Sequence, residues 1–301
     1  MADFPGTYRV ADGVVRVPIF FVNAYLVGPR GGPWVLVDTG LPGAAGWIRR
    51  AARAHHGDTP PQAVVLTHGH FDHAGNAAEL ADAWGAPVVA HSAELPFLTG
   101  RSDYPPQDPT PGGAIAFLSR FFPTAGYDLG ARVQPLPDDG TVPGLDGWRW
   151  LHTPGHAPGH VALFRDADRT LLAGDAVATM DLDSWAAQLT HAREVSRSPV
   201  PFVPDWEATA ASVRRLAALR PATLAAGHGR EIRERAAERL SAFAERSHRP
   251  EHGRYVPEPA RFDDDAGVVS VPPPVADPVP LRVAAGVAGA VVAARALGAR
   301  R

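Results

Sequence analysis

Three histidines and an aspartate stand between His68 and His73, in the run Thr-His-Gly-His-Phe-Asp-His-Ala-Gly that occupies residues 67–75. Neutral imidazole and carboxylate are the donors that zinc and other borderline divalent ions take. Crowded together without a partner, such groups cost desolvation, so a bound cation is their natural complement. A histidine-rich surface loop would sit in a polar tract, whereas these donors have Gly and apolar flanks. Three further donors come singly: His156 in Thr-Pro-Gly-His, Asp175 in Ala-Gly-Asp and His228 in Ala-Gly-His. Each follows an apolar run, and each has Gly directly before it, which lets the backbone approach an ion closely. No Gly-x-Ser-x-Gly elbow occurs and the chain has no Cys, so neither a serine triad nor a thiolate nucleophile has a candidate.

The elements that must position these donors are legible around them. Residues 63–66 form an apolar run between Pro61 and Gly69 and predict a buried strand, followed by a helix over 76–84. The donor cluster then sits on a turn at a strand's C-terminal end, a usual place for a site in layered α/β proteins. Before it, residues 14–21, 24–27 and 34–37 predict hairpin strands, 44–55 a helix, and 87–90 a strand follows. A second half repeats the pattern, with strands at 148–152, 161–165, 170–172 and 223–226 and helices at 206–219 and from about 231 to 246. Two irregular stretches, 97–139 and 181–205, are longer than ordinary connections and are expected to form lids or substrate walls.

Residues 1–248 are expected to form the catalytic body and 249–301 a Pro-rich tail, with Pro272-Pro273-Pro274 unable to continue helix or sheet. The Ala/Val-rich run 281–297 predicts a short helix; its length is marginal for a bilayer, so a packing helix or a homodimer contact is expected, not a membrane span. A net charge of -3 gives no reason to expect nucleic acid or an anionic membrane as partner. All 29 basic residues are Arg, which removes Schiff-base chemistry. The first residues show no basic stretch with an apolar run behind it, so the expected compartment is cytoplasmic.

Taken in order, His-x-His-x-Asp-His, Thr-Pro-Gly-His, Gly-Asp and Gly-His resemble the metallo-β-lactamase superfamily, over roughly residues 10–245. The resemblance implies a four-layer αββα sandwich with a metal pair at one edge. It implies that His68, His70 and His156 hold one ion, that Asp72, His73 and His228 hold the other, and that Asp175 bridges them. Asp38 matches a position beneath the site that orients a ligand imidazole. His160 matches a structural position; His55, His56, His91, His152, His191, His248 and His252 have no motif around them and read as surface or core residues. Two divalent ions, zinc foremost with iron or manganese as alternatives, would share a water and lower its pKa towards ~7. The hydroxide would attack a carbonyl carbon, with Asp72 orienting it and carrying its proton.

The resemblance implies a small-molecule substrate with an ester, lactone or thioester bond, lactone or ester first. Glyoxalase II-type cleavage of a hydroxyacyl-glutathione is disfavoured, because the C-terminal part is Pro-rich and has no Lys. The rival chemistry on the same fold is a mononuclear iron sulfur dioxygenase, and a non-catalytic binding member is the third reading. Phe97, Tyr104, Phe121 and Phe122 in the first irregular stretch are candidates for an apolar substrate wall. The alternative for this stretch is a lid helix over 115–122 that buries its own aromatics.

Overall fold

A computed structural model describes residues 5–190, 192–246 and 249–277. Strand alternation decides the layering, because both faces of each sheet are covered. In the first sheet the strands Val22–Val27, Val35–Val37, Val64–Val65 and Val88–Ala90 send Leu26, Leu36, Val64 and Val88 outward. Those side chains meet Ile48, Ala52, Leu80 and Ala81 of the helices Ala45–His56 and Ala77–Trp84. Their neighbours Val27, Val35, Val37 and Val65 point the other way and meet Val161, Leu163 and Leu172 of the second sheet. In that sheet Ala162, Phe164, Leu171 and Leu224 turn outward onto Val213, Leu216 and Leu240 of the helices Trp206–Ala218 and Ala236–Ala244. Three apolar layers between four structural ones make the αββα sandwich.

The first sheet has seven strands, antiparallel from Tyr8–Ala11 to Val35–Val37 and parallel from there to Val133–Pro135. The second has five, with Thr223–Ala225 joining Thr170–Leu172 in parallel. Parallel neighbours end at the same rim, which brings the turns after Val65, Leu172 and Ala225 together.

The expected helix from about 231 to 246 begins later, at Ala236. Glu231 is drawn into an ion pair with Arg16 at 3.2 Å, and Ile232 exchanges both backbone hydrogen bonds with Leu224, at 2.9 and 2.8 Å. Tertiary pairing overrides the helical pattern there. The Pro-rich segment returns to the body: Tyr255 and Ala260 pack with Val200 and Trp206, and the hairpin Arg261–Asp263 with Gly267–Ser270 places Phe262 against Phe97. The expected helix at 281–297, and His191 and His248, lie outside the described residues. Among the described residues no helix is long and apolar enough to cross a membrane.

His56 closes the helix Ala45–His56 and stacks on Trp34, with ring centroids 4.6 Å apart. Burial first, then His55 and Arg30, pull its pKa from the ordinary 6.5 to about 4. A ring kept neutral by folding adds stability at neutral pH, and that stability is lost as pH falls from 6.5 towards 4, where only the unfolded chain gains the proton. Urea melts at pH 7 and pH 5 are expected to show a loss on the order of 2 kcal/mol that His56→Gln lacks. Equal pH dependence in both proteins would contradict this assignment.

Candidate metal centre

Five strand ends deliver the donors. Asp38 follows Val35–Val37, the His68–His73 cluster follows Val64–Val65, His156 follows Leu145–His152, Asp175 follows Thr170–Leu172 and His228 follows Thr223–Ala225. The chain can turn this sharply only where side chains are absent. Gly174 has φ +52°, and a Cβ on Gly227 would lie 2.0 Å from Asp175 Oδ1, so only glycine lets that carboxylate rest against the backbone. The hairpin at 14–27 secures the His228 turn: Tyr25 donates to the Ala226 carbonyl at 2.6 Å, and Asn23 donates to the Ala226 and Gly229 carbonyls at 3.0 and 2.8 Å.

Four imidazoles are turned so that one nitrogen is held by the protein and the other faces the centre. His73 Nδ1 is 2.8 Å from Asp38 Oδ2, and His68 Nδ1 is 3.1 Å from the Thr67 hydroxyl. His156 Nδ1 is 3.0 Å from the Ser198 hydroxyl, and His228 Nδ1 is 2.8 Å from the Phe21 carbonyl. With Nδ1–H engaged, Nε2 carries the lone pair inward, which is the tautomer a metal requires. Asp38 also accepts from the Thr67 backbone N–H at 2.8 Å, so a single carboxylate orients His73 directly and His68 through Thr67. His160 has both nitrogens occupied, by Thr153 and by the Asp175 backbone N–H at 2.8 Å. It supports Asp175 and has no lone pair left for an ion.

The inward atoms form overlapping groups. Ligand atoms of His68, His70 and His156 lie within 4.8 Å of one another, as do those of His68, His73 and Asp175, and those of Asp72, His73 and His228. His156 Nε2 is 3.1 Å from His68 Nε2 and 2.9 Å from His70 Nδ1. Asp175 stands between the groups, 3.0 Å from His228 Nε2, 3.5 Å from His73 Nε2 and 3.6 Å from His156 Nε2.

Whether these residues fit divalent ions is answered by their unmet needs. His73 Nε2 and Asp175 Oδ1 are buried and neither has a hydrogen-bond partner. Burial, together with the neighbouring imidazoles, pushes His68 and His156 well below the ordinary range and His70 to about 3. These three are neutral donors at any ordinary pH. Burial also opposes charge on His73 and His228, but there Asp175 and the other nearby carboxylates outweigh it and push both up. Asp175 is driven well below its usual value by His228 and His73 despite its burial. Two lone-pair clusters around a committed carboxylate fit two divalent cations, which would displace the protons of His73 and His228.

Above these donors a cavity is walled by Phe21, Phe71, Ile115, Pro199, Phe202 and Phe122, with His70, Asp72, His156, Asp175 and His228 as its floor. Of the four aromatics expected to face substrate, Phe122 does. Phe97 is fully buried and stacks on Tyr104, and Phe121 is 75% exposed on the outer surface. Tyr104 packs its ring on His70 but commits its hydroxyl to Glu94 and to the Gly69 N–H. The helix expected over 115–122 is shorter, Ala114–Ser119, and does not bury its own aromatics: Ile115 turns into the cavity, while Phe117 and, past its end, Phe121 are exposed. Sequence reasoning passed over Phe21, Phe71 and Phe202. Phe71 lies inside the metal motif itself, and Phe21 lies in the turn between the strands Val14–Ile19 and Val22–Val27, whose role in seating His228 emerges only from the fold.

An αββα sandwich with converging imidazoles and carboxylates at one rim defines a class of metal-binding α/β proteins. The metallo-β-lactamase superfamily profile matches residues 17–228. The chain belongs to that superfamily. It is 43% identical over 226 residues, 74% of its own length and 86% of the relative's, to the Bacillus subtilis (strain 168) protein YflN, named a probable metallo-hydrolase. Among solved structures it resembles TTHA1623 in a di-iron-bound form, with TM-score 0.52 and 28% identity, covering 77% of this chain and 96% of that one. A B3 metallo-β-lactamase with an active-site glutamic acid shares the fold, with TM-score 0.57 and 23% identity over 81% of this chain and 88% of that one.

Proposed function

We propose that this protein is a metal-dependent hydrolase that binds two divalent ions and cleaves the ester or lactone bond of a small apolar substrate, with thioesters next in order. The observation that carries the reading is Asp175, buried and within 3.6 Å of imidazoles from both donor groups. Ions bound there supply Lewis acidity, polarising a carbonyl and lowering the pKa of a water. His68, His70 and His156 hold one ion, Asp72, His73 and His228 the other, and Asp175 serves both. Asp38 keeps His73 in the tautomer that binds.

Asp72 differs from Asp175 in what it can reach. Its side chain is 11% exposed where that of Asp175 is 2%, and it belongs to the cavity floor. Its place on the cavity floor puts its carboxylate where it can orient a water and take up its proton beside the reacting carbonyl. Phe21, Phe71, Phe122 and Phe202 exclude water and give an apolar acyl or ring group its surface. Zinc is the foremost ion on the donor set, and the iron of the related TTHA1623 makes iron the first alternative.

The test is a metal analysis paired with a substrate panel. Purified protein is expected to carry two ions per chain and to turn over lactones or aryl esters faster than acyl-thioesters. One iron per chain with oxygen uptake on a persulfide would replace hydrolysis with sulfur oxidation.

A further inference from the structure

Glu94 is completely buried, and no ion-pair partner for it occurs among the described residues. A lone carboxylate in such a place is costly unless donors saturate it. Its two oxygens are divided between two loops. Oε2 accepts the Gly69 N–H at 2.9 Å and the Tyr104 hydroxyl, and Oε1 accepts the Gly159 N–H at 2.8 Å. Gly69 separates His68 from His70, and Gly159 closes the turn that carries His156. The contacts leave no slack: a Cβ on Gly69 would fall 2.5 Å from the Tyr104 hydroxyl, and one on Gly159 would fall 2.8 Å from Glu94 Cγ.

Tyr104 extends the same network to a ring. Its hydroxyl is fixed by Glu94, and its ring meets that of His70 in an edge-on contact with centroids 4.3 Å apart. Where His68, His73, His156 and His228 each have a hydrogen bond outside the cluster, His70 has only its contact with His156 among the described residues. Its orientation depends on the rings of Tyr104 and Phe202.

We infer that Glu94 is a positioning residue: by holding Gly69, Tyr104 and Gly159 together it fixes the spacing of His68, His70 and His156 and so the affinity of the ion they hold. The inference rests on the reading of those three histidines as ligands of one ion. It separates two roles that burial alone would confuse. A residue that merely supports the fold would affect both ions and the metal-free protein alike; the hydrogen bonds of the Glu94 side chain reach the backbone beside His68, His70 and His156, and none of them, among the described residues, reaches Asp72, His73 or His228.

Glu94→Gln keeps the volume but turns one acceptor into a donor facing an N–H, and Tyr104→Phe removes only the hydroxyl. Zinc affinity is read on the full chain by competition with a chromophoric chelator, alongside the visible spectrum of the cobalt-substituted protein and the melting of the metal-free protein. For Glu94→Gln, one of two zinc affinities is expected to fall about 10–100-fold, with a changed cobalt spectrum. The other affinity and the metal-free melting temperature should stay near wild type. Tyr104→Phe should lower the same affinity less, and it carries the test if Glu94→Gln does not fold. Wild-type affinities and spectrum in a folded Glu94→Gln, or equal weakening of both ions, would overturn the inference. Failure of the underlying reading looks different: His156→Ala would then leave both zinc affinities of the parent protein unchanged.

Discussion

Asp175→Ala is expected to lower kcat/KM by about 10³-fold or more, a loss on the order of 4 kcal/mol of transition-state stabilisation. Asp175 faces imidazoles of both donor groups, at 3.0 Å from His228, 3.5 Å from His73 and 3.6 Å from His156. No nearby side chain replaces it, because Asp72 is already committed to the His73 and His228 group and Asp38 to His73 Nδ1 and Thr67. The Ala variant should therefore also bind fewer ions, and Asp175→Asn, which keeps the shape and removes the charge, should lose nearly as much activity. Measuring kcat/KM together with bound metal checks both statements. Near-native turnover in Asp175→Ala with unchanged metal content would exclude a mechanism in which both ions share this carboxylate.

Removing the ions should cost the fold as well as the activity. An ion that binds only the folded chain stabilises it by roughly 2.7 kcal/mol at a hundredfold excess over its Kd, so two sites contribute about 5 kcal/mol. For a chain of this size that corresponds to roughly 10–20 °C in Tm. The donors make the effect one of electrostatic relief, since His73 Nε2 and Asp175 Oδ1 are buried without hydrogen-bond partners. Chelator-treated protein is expected to melt lower and to be inactive, and zinc or iron should restore both properties. The shift should shrink as pH falls, because His73 and His228 hold their protons more tightly than an ordinary histidine and a metal must displace them. Unchanged Tm and turnover after metal removal, verified by mass spectrometry, would exclude a role for these donors in holding ions.

Glycine and apolar patterning made most of the scaffold readable. The strands at 161–165 and 170–172 run as the sequence pattern predicts, and Asp175 stands just past the second, because an apolar run and a Gly stop are local properties. The start of the helix Ala236–Ala244 was not readable. The partners that hold Glu231 and Ile232 out of it, Arg16 and Leu224, are distant or in another strand. The aromatics divide in the same way. Phe97, Phe121 and Phe122 carry the same side chain in one irregular stretch, yet one is in the core, one on the surface and one over the donors.

The donor types of His68, His70, Asp72, His73, His156, Asp175 and His228, their order and their glycine neighbours are properties of the chain itself. They determine metal chemistry, since a ligand's identity does not depend on what packs beside it. Tertiary structure decides which nitrogen of His73, His156 and His228 faces inward, because the groups that hold their Nδ1 atoms, Asp38, Ser198 and the Phe21 carbonyl, lie far away in the chain. It also decides that Glu94, unremarkable in the sequence, ties the loops of His68, His70 and His156 together. Such contacts exist only once the two sheets have packed and brought their strand ends to a common rim.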